Sequence, residues 1–416
     1  MLDKNNIIKI NSLLYQATKP IRILAHISWP ESVKEEFFRQ KAQALPHVEY
    51  PTFNPTDVFA ALTEARRHMQ GTCVVNDWFQ RTADNIENTA HLLMACGTDA
   101  FYTYSSRLYG SPLDTLVDQK STSLDLAKQI DSLIGTFCKI DLGAPEPACF
   151  LAETVAADMK KAVLDIFGDD APEILVVDEL SANALASAKQ IRIRRNACFT
   201  DKDTRQLINH EAYIHVATSL NGMAQTDLPI LQAGHPGTTK TQEGLAVFAE
   251  FITGSMDIDR LQRLADRVLA IQMAVEGADF LEVYQYFLTR IGNQEQAYEN
   301  ARRVFRGGVL TGGAPFTKDI VYLEGLMRVH NFLRAIVVNG RTDCLRLLFC
   351  GKLDIEDIPV LHHLSAIGLC QTPKYLPPWA KDLRFLLSYL AYTSFLNQID
   401  FAQVKLHYED MLKGLD

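Results

Sequence analysis

Apolar residues recur every three to four positions through most of this 416-residue chain, the pattern of helices with one buried face. In "PTDVFAALTEARRHM" the stripe is Val58, Phe59, Leu62 and Ala65, and Asn54 before Pro55 marks the start. "DTLVDQKSTSLDLAKQIDSLIGTF" continues in the same style. After about Leu261 long helical patterns run to the C-terminus, broken near "GGVLTGGAPF" and "QTPKYLPPW". The Pro- and Gly-bearing "DLGAPEPACF" (Asp141 to Phe150) reads as a linker.

The middle of the chain departs from this rule. "EILVVDEL" (Glu173 to Leu180) is β-branched, apolar and bounded by polar residues, which predicts a short buried strand. In "KQIRIRRNACFT" (Lys189 to Thr200) alternation puts Ile191 and Ile193 on one face and Arg192 and Arg194 on the other, as in an edge strand. A helix is predicted to begin near Thr200 or Asp201, with Asp201 and Asp203 at its positive end. The expected class is α+β, predominantly helical, with a small mixed sheet. Three regions are expected within one compact unit: a helical 1–145, a central 146–345 and a helical 346–416 packed on the core.

A net charge of −9 argues against a nucleic-acid groove, which needs a surplus of Lys and Arg on one face. No run of about 18 uncharged apolar residues predicts a membrane span, and the start lacks the pattern of a signal peptide. Eight scattered cysteines without a Cys-x-x-Cys pair read as reduced thiols, so the expected compartment is the cytoplasm.

Candidate chemistry sits in "LINHEAYIHVA", where His210, Glu211 and His215 nearly form a His-Glu-x-x-His metal motif with one extra residue. On a regular α-helix, positions five apart diverge by roughly 140°, too far to share an ion. One π-type turn brings i and i+5 nearly into line. The next segment, "QAGHPGTTKTQEGLAVFAEF", reads as a helix from Thr241, whose hydroxyl would cap it, with Glu243 in the first turn. A His₂Glu zinc site is completed by such a carboxylate. Gly244 costs helix stability, implying close packing against another backbone or a substrate. Glu250, seven residues on, shares that face and is either a supporting group or the ligand itself. His235 in "AGHPG" reads as a loop histidine, with a fourth ligand or a substrate contact as the alternative, and the doublet His362 and His363 as structural histidines.

The paired segments "INHEAYIH" and "GHPGTTKTQEGLAVFAEF" resemble the flavohemoglobin expression-modulating family named for its Gln-Glu-Gly-Leu-Ala motif, here Gln242 to Ala246. The same domain resembles the eukaryotic microtubule-associated tyrosine carboxypeptidases. The likeness extends through "RVFRGG" and "GGAPFTKDIVYLEGL", over about residues 20 to 345. It implies a zincin-like metallopeptidase core binding one Zn²⁺ per chain through His210, His215 and Glu243, with Glu211 as general base. The Ala-Tyr-Ile spacer before His215 differs from the Ile-Gly-Thr of the eukaryotic enzymes, and nothing resembles their microtubule-binding extensions. Tubulin is therefore not carried over as substrate.

For a carboxypeptidase acting on peptide or protein C-termini, with a possible aromatic preference, Tyr322 is the candidate oxyanion donor. Arg303, Arg306 and Lys318 are candidates for the terminal carboxylate, the arginines preferred. The stretch "IRIRRN" (Ile191 to Asn196) is expected to pair with an extended substrate as an added antiparallel strand, placing Arg194 and Arg195 at the cleft. Two other readings stand beside this one: a regulatory scaffold that keeps a metal site, and an aminopeptidase or amidase. An intact Glu211 favours chemistry, because structural zinc needs four protein ligands and no base. Oligomeric state is open.

Overall fold

The computed structural model describes residues 3–137, 140–141, 150–178, 180, 183–197 and 199–413. The linker expected at 141–150 falls, except for its two ends, outside them. Two helices, Pro236–Ile252 and Val321–Val338, cross at the centre of the molecule. Their contact is backbone on backbone. A Cβ on Gly244 would lie 2.3 Å from the Gly325 carbonyl oxygen, and one on Gly325 would lie 2.3 Å from the Lys240 oxygen. The close packing expected at Gly244 is thus against another helix rather than a substrate.

Around this crossing the largest apolar cluster joins distant parts of the chain. Ile7 and Leu14 come from helix Lys4–Thr18, Trp78 and Phe79 from Val74–Met94, and Leu361 and Leu386 from the C-terminal region. Val58, Leu62 and Ala65 of the first predicted stripe are buried in it. A second cluster, rich in aromatic rings, packs Phe37 against Phe280, Tyr284 and Tyr298. Its helices, Phe280–Ile291 and Gln294–Phe305, lead into the glycine-rich break at 307–313.

A third cluster lies under the sheet. β1 (Glu173–Val177) is parallel to β3 (Gln190–Arg194), and β2 (Ala184–Ala186) is antiparallel to β3, giving the order β1-β3-β2. Ile191 and Ile193 are buried, as the alternation predicts. Two expectations are corrected. β1 is half-exposed rather than buried, with helix Ala152–Phe167 packed against it. The strand 190–194 is central and has partners on both sides, so it cannot take a substrate strand. The three-residue β2, too short for a periodic signal, holds the outer position beside the motif helix.

The next helix starts at Asp201, as predicted, and Thr200 caps it through a reciprocal Thr200–Asp203 box. The helix that carries Glu243 starts five residues earlier than expected. His235 is its N-cap and Pro236 its first residue, a position where proline's missing N–H is harmless. Thr241 therefore lies inside the helix, bonding Asp354 at 3.1 Å and accepting from the Ile355 amide at 3.0 Å. Among the described residues no helix is long and apolar enough to cross a membrane.

Candidate metal centre

From Ile208 to Val216 the chain adopts a π-helix between α-helical segments Asp201–Leu207 and Ala217–Met223. The wider turn brings residues five apart onto one side, as the sequence spacing requires. The His210 and His215 rings lie 4.9 Å apart at 77°. Each Nε2 is 3.5 Å from Glu243 Oε2, across from the neighbouring helix. One donor atom from each of the three lies within 4.8 Å of the others. Two ligand atoms about 2.1 Å from a tetrahedral ion stand roughly 3.4 Å apart, so the donor set and the 3.5 Å edges fit a three-ligand zinc site with one open position.

Buried groups hold these donors in place. Glu250 is fully buried and accepts the His210 Nδ1 hydrogen bond at 2.7 Å, which leaves Nε2 free as the ligand atom. Arg260 grips the same carboxylate through Nε at 2.8 Å and a terminal nitrogen at 2.9 Å. Burial raises the Glu250 carboxyl, but Arg260 and His210 overcome that and bring it to about 2. Glu250 therefore orients His210; it is not in the three-donor group. Burial likewise opposes charge on Glu243, but Lys318, 3.2 Å away, and both imidazoles hold it ionised well below the usual carboxylate range. Burial lowers the Lys352 ammonium to about 8; it donates to the His215 carbonyl at 3.1 Å and to the Thr218 hydroxyl at 3.0 Å. That hydroxyl in turn donates to Gln242 at 2.8 Å, tying the π-turn to the residue before Glu243.

The family model for microtubule-associated tyrosine carboxypeptidases matches residues 35–398. The chain belongs to that family. No curated protein matches it. The matched span extends well beyond residue 345, into the C-terminal helices that complete the largest apolar cluster.

Within this tyrosine carboxypeptidase framework the other predicted residues divide. Glu211 lies outside the three-donor group, and its Oε2 accepts from the Ala186 amide of β2 at 3.1 Å. Tyr322 stands one turn from Lys318, and Lys318 and Arg267 each lie 5.1 Å from its ring centroid. Arg303 is bound by Asp319 at 2.6 and 2.8 Å, so its guanidinium already has a carboxylate. Arg306 is buried beside the Phe316 ring, 5.7 Å from its centroid. Arg194 bonds Asn183 at 2.8 Å, and Arg195 pairs with Asp178 and Glu153, so both are engaged on the sheet's polar side. His235 is the cap already described, and His362 is exposed, 3.4 Å from Asp343.

Three residues that matter here escape the sequence patterns. Lys352 comes from a loop with no motif. Arg260 and Arg267 lie on helix Ile258–Val275, where Arg260 shares the buried face with Leu264, Val268 and Ile271. A charged residue in an apolar stripe was the available signal.

Proposed function

We propose that this protein is a zinc-dependent carboxypeptidase that removes one residue, with an aromatic preference, from the C-terminus of a peptide or protein. The observation that carries the reading is the convergence of His210, His215 and Glu243 at 3.5 Å edges with an unligated carboxylate, Glu211, in the same turn. Zinc held there supplies Lewis acidity, lowering the pKa of water to about 7 and polarising the scissile carbonyl.

The chain's own groups do the rest. Glu211 accepts the proton of the attacking water and delivers it to the leaving amine. The Ala186 amide fixes one oxygen of that carboxylate, leaving the other for the proton. Since Leu185 pairs with Arg192, ladder alternation turns the backbone groups of Ala184 and Ala186 away from β3. The outer edge of β2 is thus the place for an extended substrate backbone beside Glu211. Lys318 bonds Glu243 Oε1, the oxygen other than the one facing the imidazoles, and Tyr322 is kept as the candidate oxyanion donor.

Glu211→Gln tests the reading against a scaffold role. The variant is expected to keep its metal and melting temperature while release of C-terminal residues falls roughly 10²- to 10⁴-fold. Zinc content, thermal melting and amino-acid release measured together decide it. Equal release by both proteins, or none from wild type loaded with zinc, defeats the catalytic reading. Release of N-terminal residues instead supports the aminopeptidase alternative.

A further inference from the structure

Two helical segments supply the three metal-facing donors: the π-turn carries His210 and His215, and helix Pro236–Ile252 carries Glu243. The centre keeps its shape only if these segments are fixed to each other on both sides of the ion. On the His210 side the link is direct, since its Nδ1 bonds Glu250 of the same helix as Glu243. On the His215 side the link runs through the main chain and a lysine from far along the sequence.

The His215 carbonyl accepts from the Ser219 hydroxyl at 2.6 Å and from the Lys352 ammonium at 3.1 Å. Both bonds fall where the π-turn gives way to α-helix, and a hydroxyl bonding four residues back bends a helix at such a point. Lys352 also donates to the Thr218 hydroxyl at 3.0 Å, and that oxygen lies 2.8 Å from Oε1 of Gln242, the residue before Glu243. One ammonium therefore holds the main chain of one ligand and, through one hydroxyl, the neighbour of another. The lysine is itself anchored. Its amide donates to the Leu231 carbonyl at 2.6 Å, and the Gly351 carbonyl accepts from Gln242 Nε2 at 3.4 Å. A Cβ on Gly351 would lie 2.5 Å from the Leu231 oxygen, so the loop backbone is seated against its support.

Neither acceptor needs this lysine in order to be satisfied. Ser219 already serves the His215 carbonyl, and Gln242 already partners the Thr218 hydroxyl. Taking an ammonium partly out of water is costly, so stability alone gives no reason for it. Charge-assisted bonds are stronger and geometrically tighter than neutral ones, which suits a group that sets position.

We propose that Lys352 is a positioning residue that fixes the π-turn so that His215 and Glu243 meet one metal ion, completing on the second side the link that Glu250 makes on the first. The inference rests on the metal reading of the three donors and deepens it.

The test compares wild type with Lys352→Met, Lys352→Arg, Thr218→Val and the Lys352→Met/Thr218→Val double variant. Zinc affinity is read by competition with a chelator, ligand geometry by the visible absorption of cobalt(II) in place of zinc, and folding by melting of the metal-free protein. Lys352→Met is expected to weaken zinc binding roughly 10- to 100-fold and to change the cobalt spectrum. Its metal-free melting temperature should stay that of wild type, because Ser219 and Gln242 still partner the two groups it leaves. Lys352→Arg, which keeps charge and donors, should recover part of the affinity. Thr218→Val should weaken binding in the same direction, and the double variant should lose less than the sum of the two, as members of one link do. Wild-type affinity and spectrum in Lys352→Met overturn the inference, as do additive losses. So does a fall in metal-free melting that matches the loss of affinity, which makes the role merely structural. A raised KM with unchanged metal binding makes Lys352 a substrate contact and overturns it too. Wild type that binds neither zinc nor cobalt defeats the metal reading itself.

Discussion

Replacing Gly244 by alanine tests the crossing on which the geometry of the centre depends. The added Cβ would stand 2.3 Å from the Gly325 carbonyl oxygen, and ordinary contact begins at 3.4 Å. The two central helices would have to separate by about 1 Å, or one would have to rotate. Both options disturb Glu243, the preceding residue, and the leucines and phenylalanines packed around the pair. Alanine itself favours the helix by about 1 kcal/mol over glycine, whereas overpacking of this kind costs about 1–3 kcal/mol and more against rigid backbone. The net expectation is a loss of about 1–2 kcal/mol and, for a chain of this size, a melting temperature lower by roughly 1–2 °C. Gly135→Ala is the control. It lies in helix Ser123–Thr136 with nothing within 4 Å of the added Cβ, so it should hold or raise stability. Thermal and urea unfolding of the three proteins give the answer. A Gly244→Ala protein that melts at or above wild type would refute the close-crossing argument.

Arg303→Met should cost about 3–5 kcal/mol in urea unfolding, because it strands the buried Asp319 carboxylate; a fully stable variant would show that Arg267 alone suffices for Asp319. Glu250→Gln is expected to weaken zinc affinity roughly 10- to 100-fold, read by competition with a chelator, since His210 Nδ1 and Arg260 lose their shared acceptor charge; unchanged affinity would remove Glu250 from its supporting role. Asp357 gives a pH signature: burial raises its carboxyl from 3.8 to about 6 against the Asp354 amide and Arg81. The unfolded chain releases that proton at lower pH than the folded one, so this group makes stability fall as pH rises from about 4 to about 6, with no further change above. Asp357→Asn should flatten that part of a melting-temperature series, and an unaltered slope would assign it to other groups.

Local chemistry carried a good deal of this in the sequence. Ile191 and Ile193 alternate with Arg192 and Arg194, and the strand forms with that facing. Thr200 and Asp203 stand three apart and close a capping box. The five-residue interval from His210 to His215 demanded a widened turn, and residues 208–216 are π-helical. Glycine at 244 signalled a close approach before any partner was visible. These features rest on spacing within one segment, where the backbone fixes which side chains can meet. Order in the sheet was not available that way: β2 has three residues and no period, so the central place of β3 depends on a contact with Asn183 to Ser187 that no pattern announces. Thr241 looked like a cap because its hydroxyl suits one, yet the helix runs through it and Asp354, 113 residues away, takes the hydroxyl. The same holds for charge. Sequence shows an arginine- and glycine-rich stretch from Arg302 to Gly313, but which guanidinium is neutralised depends on Asp319, Glu250 and Arg267 arriving from other helices. Intervals along the chain bring His210 and His215 to one side, since a turn's geometry is local. The pairing of buried charges was decided only in the tertiary structure, because Coulomb energy depends on distances through space that the chain order does not contain.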